Sequence, residues 1–142
     1  MNIYFACSIT GGREFEAVYQ QMVSALGAKG HIIPTSHLAQ SETVQGDRLL
    51  APQDVYERDV NWIRECNLLI AEVSVPSHGV GYEIAYALQI GKPVLCISQE
   101  GRKVSKMITG NPDSALTVNT YRSVEEGIQR ILEYLGKTQE NL

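Results

Sequence analysis

The run Asn67–Val73, NLLIAEV, constrains the fold more than any other stretch of this chain. Leu68, Leu69, Ile70 and Ala71 follow one another with no apolar–polar alternation, so a strand built from them must be covered on both faces. Such a strand belongs to a parallel sheet with helices above and below it. The flanking sequence supplies the helices. Pro52 can open one that runs to about Glu65, and Val80–Gly91 reads as another that is apolar almost all round.

The rest of the chain repeats that alternation. NIYFACSI is a short strand ended by TGG, after which Phe15, Val18, Tyr19, Met22 and Leu26 recur at helical spacing until Gly30. HIIP, PVLCIS and a short segment near Ala115–Val118 read as further strands, and an amphipathic helix spans about Ser123–Leu135. The expected fold is a single α/β domain over residues 1–142, flavodoxin-like or Rossmann-like. Its parallel sheet has five strands in the order 2-1-3-4-5 with helices on both faces, and ligands sit beyond the carboxyl ends of strands 1 and 3. Residues 34–53 are polar and without a clean period, a loop of the length that usually has a function.

Composition excludes several classes of function. No apolar run approaches the roughly 20 residues of a membrane span. The opening MNIYFACSIT lacks a basic stretch followed by a long apolar one, so no signal peptide is read and a cytoplasmic location is expected. Cys7, Cys66 and Cys96 are odd in number and form no C-x-x-C pair. His31, His37 and His78 show no metal-ligand spacing, so neither a metal nor a cofactor is expected. A net charge of −4 argues against nucleic acid as a partner.

Carboxylates stand in places where apolar residues are the rule. Glu83 lies in the first turn of the expected Val80–Gly91 helix, followed by the apolar stripe Tyr86, Ala87 and Ile90. There the helix dipole favours the ionised form, which suits a nucleophile. The plainer reading is a solvated residue at a helix start. Asp59 shares a helix face with Val55, Trp62 and Cys66, while Glu57, Arg58, Asn61 and Arg64 supply the polar sides. A carboxylate there must find a partner or have its pKa raised, and the second case yields a general acid. It could instead tie down a nearby backbone group. Two carboxyl groups pushed to opposite protonation states make a glycoside-cleaving pair. Glu72 and Asp54 are third and fourth candidates by pattern.

Two glycine-bearing turns feed helices on either side of the expected crevice. SITGGRE follows strand 1 and offers backbone N–H groups with the cation of Arg13, and PSHGVG precedes Glu83 with the hydroxyl of Ser77. No Gly-Lys-Ser/Thr follows the first turn, which excludes a P-loop. GRKVSKM gathers Arg102, Lys103 and Lys106, as a solvated turn or as part of a phosphate site.

With these residues in place, the chain resembles the 2′-deoxynucleoside 5′-phosphate N-hydrolases and, more distantly, the nucleoside 2-deoxyribosyltransferases of the same fold. The similarity runs through IYFACSITGGRE, DVNWIRECNLLIAEVSVPSHGVGYEIAYAL and PVLCIS…GRKVSKMITG. It implies that Glu83 attacks the anomeric carbon to form a covalent deoxyribosyl intermediate, that Asp59 assists departure of the base, and that Tyr4 lies near nucleophile and sugar. Ser8, Gly11, Gly12 and Arg13 match the loop around the nucleotide, and Cys7, Ile9 and Thr10 of that loop are expected to line the same site. Ser77 and Gly79 match donors to the 5′-phosphate. Ser105 matches a serine supplied by the neighbouring subunit of a homodimer. His37, in the 34–53 loop, is expected at the base.

Cys7 and Thr10 stand where those hydrolases have Gly and Arg, and VYERD is closer to the transferases. The implied activity is hydrolysis of deoxynucleoside monophosphates, small-molecule substrates. Transfer of the deoxyribose to a second base is the alternative, and a nucleotide-binding regulatory module is the alternative outside enzymes.

Overall fold

A computed structural model of the protein describes residues 1–9, 12–39 and 49–141, short of the side chains of residues 38 and 39. Four strands, β1 (Ile3–Ala6), β2 (Leu68–Glu72), β3 (Val94–Gln99) and β4 (Leu116–Tyr121), pair in parallel in the order β1-β2-β3-β4. Among the described residues five α-helices join them: α1 (Glu16–Ala28), α2 (Pro52–Glu65), α3 (His78–Gln89), the single turn α4 (Lys106–Thr109) and α5 (Val124–Glu140). Every residue of β2 is buried, as its unbroken apolar run requires. Tyr4 in β1 registers with Leu69, and Ala71 in β2 with Cys96, so these chain positions share one face of the sheet.

The sheet divides the core in two. Ile3, Phe5, Leu68, Ile70, Leu95 and Ile97 pack against α1 and α5 through Tyr19, Met22, Leu26, Ile131 and Leu135. Tyr4, Ala6, Leu69, Ala71, Val94 and Cys96 pack against α2 and α3 through Ile63, Val80, Ile84 and Ala87. Each of these large side chains stabilises the fold by about 1.5–3 kcal/mol when fully buried.

Among the described residues the sheet has four strands where five were expected. HIIP does lie beside β1, but it makes one bridge, Asn2 to Ile32, with Ile3 N–H donating to Ile32 O at 2.8 Å. Pro34 follows at once and has no N–H to continue a ladder. The next backbone groups of that edge are met by a side chain instead. Phe5 N–H donates to Thr35 Oγ1 at 3.0 Å, and the same hydroxyl donates to Phe5 O at 2.8 Å. One threonine thus supplies both partners that a strand residue would have offered.

Two helices also differ from expectation. α3 begins at His78, two residues earlier than its apolar period, because Ser77 caps it by accepting the Val80 N–H at 3.3 Å. It is not buried all round. Val80, Ile84 and Ala87 face the core, while Tyr82 is 53% exposed and Ile90, just past its end, 39%. The last helix runs on to Glu140, past the expected Leu135. Among the described residues no helix is long and apolar enough to cross a membrane.

Gly127 of α5 marks where the helix comes closest to the sheet. A Cβ there would stand 2.9 Å from Met22 Cε and 3.1 Å from Tyr121 Cγ. Met22 can move its terminus, but the ring of Tyr121 is held in the core. Gly127→Ala is expected to lower stability by about 1–2 kcal/mol, although alanine alone would favour the helix by about 1 kcal/mol. A urea midpoint equal to or above that of the wild type would contradict this packing.

Candidate active site

Tyr4 comes from the middle of β1, on the face that α2 and α3 cover, and only 1% of it is exposed. Its hydroxyl stands beside the Glu83 carboxyl and favours that group's ionised form. Glu83 reaches it from the second turn of α3, since the helix starts at His78. That corrects the expectation of a first-turn glutamate held ionised by the dipole, an effect that fades beyond the first turn. Burial instead pushes the Glu83 carboxyl up from 4.5 to about 7; the negative charge of Asp59 adds to the rise, while the Tyr4 hydroxyl and Arg58 oppose it. Tyr4 itself is pushed far up by burial and then by Glu83, so its hydroxyl keeps its proton and can only donate to the carboxylate.

Asp59 lies on α2 at the edge of the apolar stripe, whose buried members are Val60 and Ile63. Of the two fates open to it, it has found a partner: Arg58 Nε donates to Asp59 Oδ1 at 2.9 Å. The Arg58 guanidinium also lies 4.9 Å above the Trp62 ring, against whose other contacts His37 sets its ring edge-on at 5.5 Å. Asp59 and Glu83 open onto one pocket of about 300 Å³ between α2 and α3, lined also by Tyr56, Val60, Ile63, Gly79 and Tyr82. A Cβ at Gly79 would stand 3.6 Å from Glu83 Oε1, so glycine keeps the space before that carboxylate open.

The remaining expected residues fall around this pair. Cys7 and Ser8 are buried at the end of β1, Ile9 is half-buried, and Gly12 and Arg13 are exposed. Gly12 has φ of 101°, a conformation that other residues rarely adopt. Thr10, Gly11 and residues 40–48 of the expected loop lie outside the described residues. Burial pushes the Cys7 thiol up to about 12, so it stays protonated at neutral pH and is no nucleophile. Ser77 and Ser105 occupy the walls of a second, open groove of about 930 Å³, with Lys103 and Lys106. Both serines accept a backbone N–H as helix caps, which leaves each O–H free to donate to an anion.

Glu72 faces the opposite side of the sheet from Tyr4 and is not part of the Asp59–Glu83 pocket. Asp54 is exposed in the first turn of α2. Among the described residues no group of three or more His, Cys, Asp or Glu could hold a metal ion. The pocket also includes residues the sequence did not point to. Tyr56 lies three before Asp59 on the same helix face, and Tyr82 adjoins Glu83; their hydroxyls meet at 3.4 Å. Their spacing from the carboxylates was the available signal, but tyrosine reads as core.

The family model described as nucleoside 2-deoxyribosyltransferase matches residues 3–133, and the chain belongs to that family. The 5-hydroxymethyl-dUMP N-hydrolase of Mus musculus is 38% identical over 135 residues, covering 92% of this chain and 77% of that protein. A Methanococcoides burtonii protein, named provisionally as a 2′-deoxynucleoside 5′-phosphate N-hydrolase, is 37% identical over 121 residues, covering 85% of this chain and 99% of its own. The structure of a Clostridium botulinum CMP N-glycosidase shares the fold with a TM-score of 0.72 at 22% identity, covering 93% of this chain and 98% of that one.

The raised carboxyl of Glu83 sets a sign for stability against pH. Its folded pKa of about 7 lies above the unfolded 4.5, so its contribution is full below 4.5 and is lost as pH rises through 7. The loss is at most about 3 kcal/mol. Glu83→Gln is therefore expected to be more stable than the wild type at pH 8 and close to it at pH 4.5. Thermal melts at the two pH values check this; a variant less stable at pH 8 would contradict the burial argument.

Proposed function

We propose that the chain hydrolyses the N-glycosidic bond of 2′-deoxynucleoside 5′-monophosphates, releasing the base and 2-deoxyribose 5-phosphate. The observation that carries this reading is the shared pocket: Asp59 and Glu83 approach it from adjacent helices, with the Tyr4 hydroxyl beside Glu83. The names of the relatives support the same bond and the same substrate class. Those relatives are enzymes, and the alternative of a module without chemistry has no comparable support.

In the first step a Glu83 oxygen bonds to C1′ as the bond from C1′ to the base nitrogen breaks, with Asp59, protonated once it leaves Arg58, delivering that proton to the departing base. In the second, water attacks C1′, Glu83 leaves as a carboxylate and Asp59 takes up the proton. The Tyr4 hydroxyl holds Glu83 in line for attack. A fixed carboxylate in water-poor surroundings stabilises the developing positive charge of the sugar. A 2′-hydroxyl would disfavour that charge, which is why the substrate is deoxy. Gly12, Arg13 and the 7–13 loop surround the nucleotide, Ser77 and Gly79 hold its phosphate, and His37 contacts the base.

The acting form is a homodimer in which Ser105 completes the neighbour's phosphate site. Exposed apolar surface supports this, with Met107 at 84% exposure beside the groove that Val104 and Ile108 line. Transfer of deoxyribose to a second base is the other reading. The family description favours it, and it shares the first step.

Four outcomes test the proposal. Chromatography of 2′-deoxyguanosine 5′-monophosphate reactions, with and without free adenine, is expected to give guanine and deoxyribose 5-phosphate in both; a new adenine deoxynucleotide would make the protein a transferase. Glu83→Ala is expected to lose activity by roughly 10³-fold or more with its fold intact. In the wild type, log kcat/KM should fall as pH drops below about 7, since the nucleophile must be ionised. Finally, mixing inactive Glu83→Ala with Ser105→Ala subunits should restore activity beyond that of either parent, because one hybrid site then holds both intact residues. No recovery in verified hybrids would place Ser105 in its own subunit's site.

A further inference from the structure

Glu72 ends β2 on the α1 side of the sheet with none of its surface exposed. Its Oε1 accepts the Ser74 N–H at 2.7 Å, and Oε2 has no hydrogen-bond partner among the described residues. Among the described residues Ser8 Oγ and the hydroxyls of Tyr19 and Tyr121 share that condition, as does Asn2 Oδ1. Tyr19 acts on the Ser8 backbone and Tyr121 on Ser74, but neither hydroxyl closes a hydrogen bond of good geometry. Arg102, from the turn after β3, is the cation that acts on Glu72.

Buried polar atoms without partners are costly, and most native cores hold few of them. A leucine or methionine at position 72 would continue the apolar column of Leu68 and Ile70 without that cost. Local rules are broken in this way mainly where function requires it. What Glu72 holds is a turn. Ser74 is tied to Glu72 through its N–H, and its Oγ accepts the Gln99 N–H at 2.8 Å. Three residues later comes Ser77, which caps α3, and then Gly79, against Glu83. Ser8 and Tyr19, on the other side of the cluster, belong to the opposite substrate loop and the helix after it.

We infer that Glu72 is a positioning residue for the 5′-phosphate: by fixing the Ser74–Ser77 turn, it aims the Ser77 hydroxyl and the first N–H groups of α3 at the phosphate. This rests on the proposed reading of Ser77 and Gly79 as phosphate donors. Glu72 touches no substrate. Its effect reaches the phosphate through two residues of backbone.

Calorimetry with 2-deoxyribose 5-phosphate and with 2-deoxyribose, on the whole protein, tests this without requiring turnover. Glu72→Met keeps the volume and removes the acceptor. It is expected to bind the sugar phosphate about tenfold more weakly, the loss of one hydrogen bond to a charged group, and to melt no lower than the wild type. Glu72→Gln keeps an acceptor for Ser74 and should retain most of the affinity. In turnover, Glu72→Met should raise KM for the nucleotide and leave kcat nearly unchanged, a split that a merely structural role would not give. Ser74→Ala cuts the same turn from Gln99 without altering the buried carboxylate, and should weaken the sugar phosphate in the same direction; it decides the matter if Glu72→Met does not fold. Phosphate-dependent binding in the wild type that neither variant weakens by more than twofold overturns the positioning role alone. A wild type that binds the sugar phosphate no better than the sugar overturns the phosphate-site reading, and this inference with it.

Discussion

A carboxylate taken out of water is costly unless something in the protein replaces the lost hydration, and the Tyr4 hydroxyl beside Glu83 offsets part of that cost, while burial still raises the Glu83 carboxyl. The donor comes from a strand whose four residues are all buried. The acceptor comes from a helix whose position is set by Val80, Ile84 and Ala87 against that sheet. Strand register and helix packing therefore meet in one contact. A shift of β1 by one residue would turn Tyr4 to the other face, where α1 packs, and leave Glu83 without its donor.

Charge at the site is arranged around the same contact. Arg58 acts on Asp59, Glu83 and Tyr4 together, and it is anchored over Trp62. Two carboxylates can share a small pocket because one is paired with this cation and the other is held by a phenol. That division gives the two groups different surroundings, the condition under which neighbouring carboxyl groups take different roles. It also shows why Arg58, which from sequence spacing sits on the polar side of its helix, belongs electrostatically to the site.

Much of this was legible in the sequence where one physical effect dominated. The unbroken NLLIAEV run could only be a doubly covered strand, and the helices around it followed from their periods. HIIP misled because its apolar residues satisfied the strand pattern, while the decisive facts were the missing N–H of Pro34 and a side-chain hydroxyl standing in for backbone. Asp59 and Glu83 stood out as carboxylates in apolar stripes. Their protonation did not, since it depends on which helix turn holds Glu83 and on where the Tyr4 hydroxyl reaches. Glu72 was visible as an anomaly, yet its face of the sheet depends on strand parity. Tyr56 and Tyr82 were hidden by their resemblance to core residues.

The threonine at the edge of β1 has a consequence for assembly. An open sheet presents a row of unused backbone groups at each border, and such rows recruit other strands. At β1 much of that row is consumed among the described residues, first by the single bridge to Ile32 and then by Thr35, which leaves little there to template a further strand. At β4 the situation is the reverse: the strand is half-exposed, with Val118 at 38%, and pairs on one side only among the described residues. The sheet is thus polar in its capacity to grow. Misassembly by strand addition, or a deliberately grafted strand, has one border available to it, and that border lies at the far side of the sheet from Tyr4.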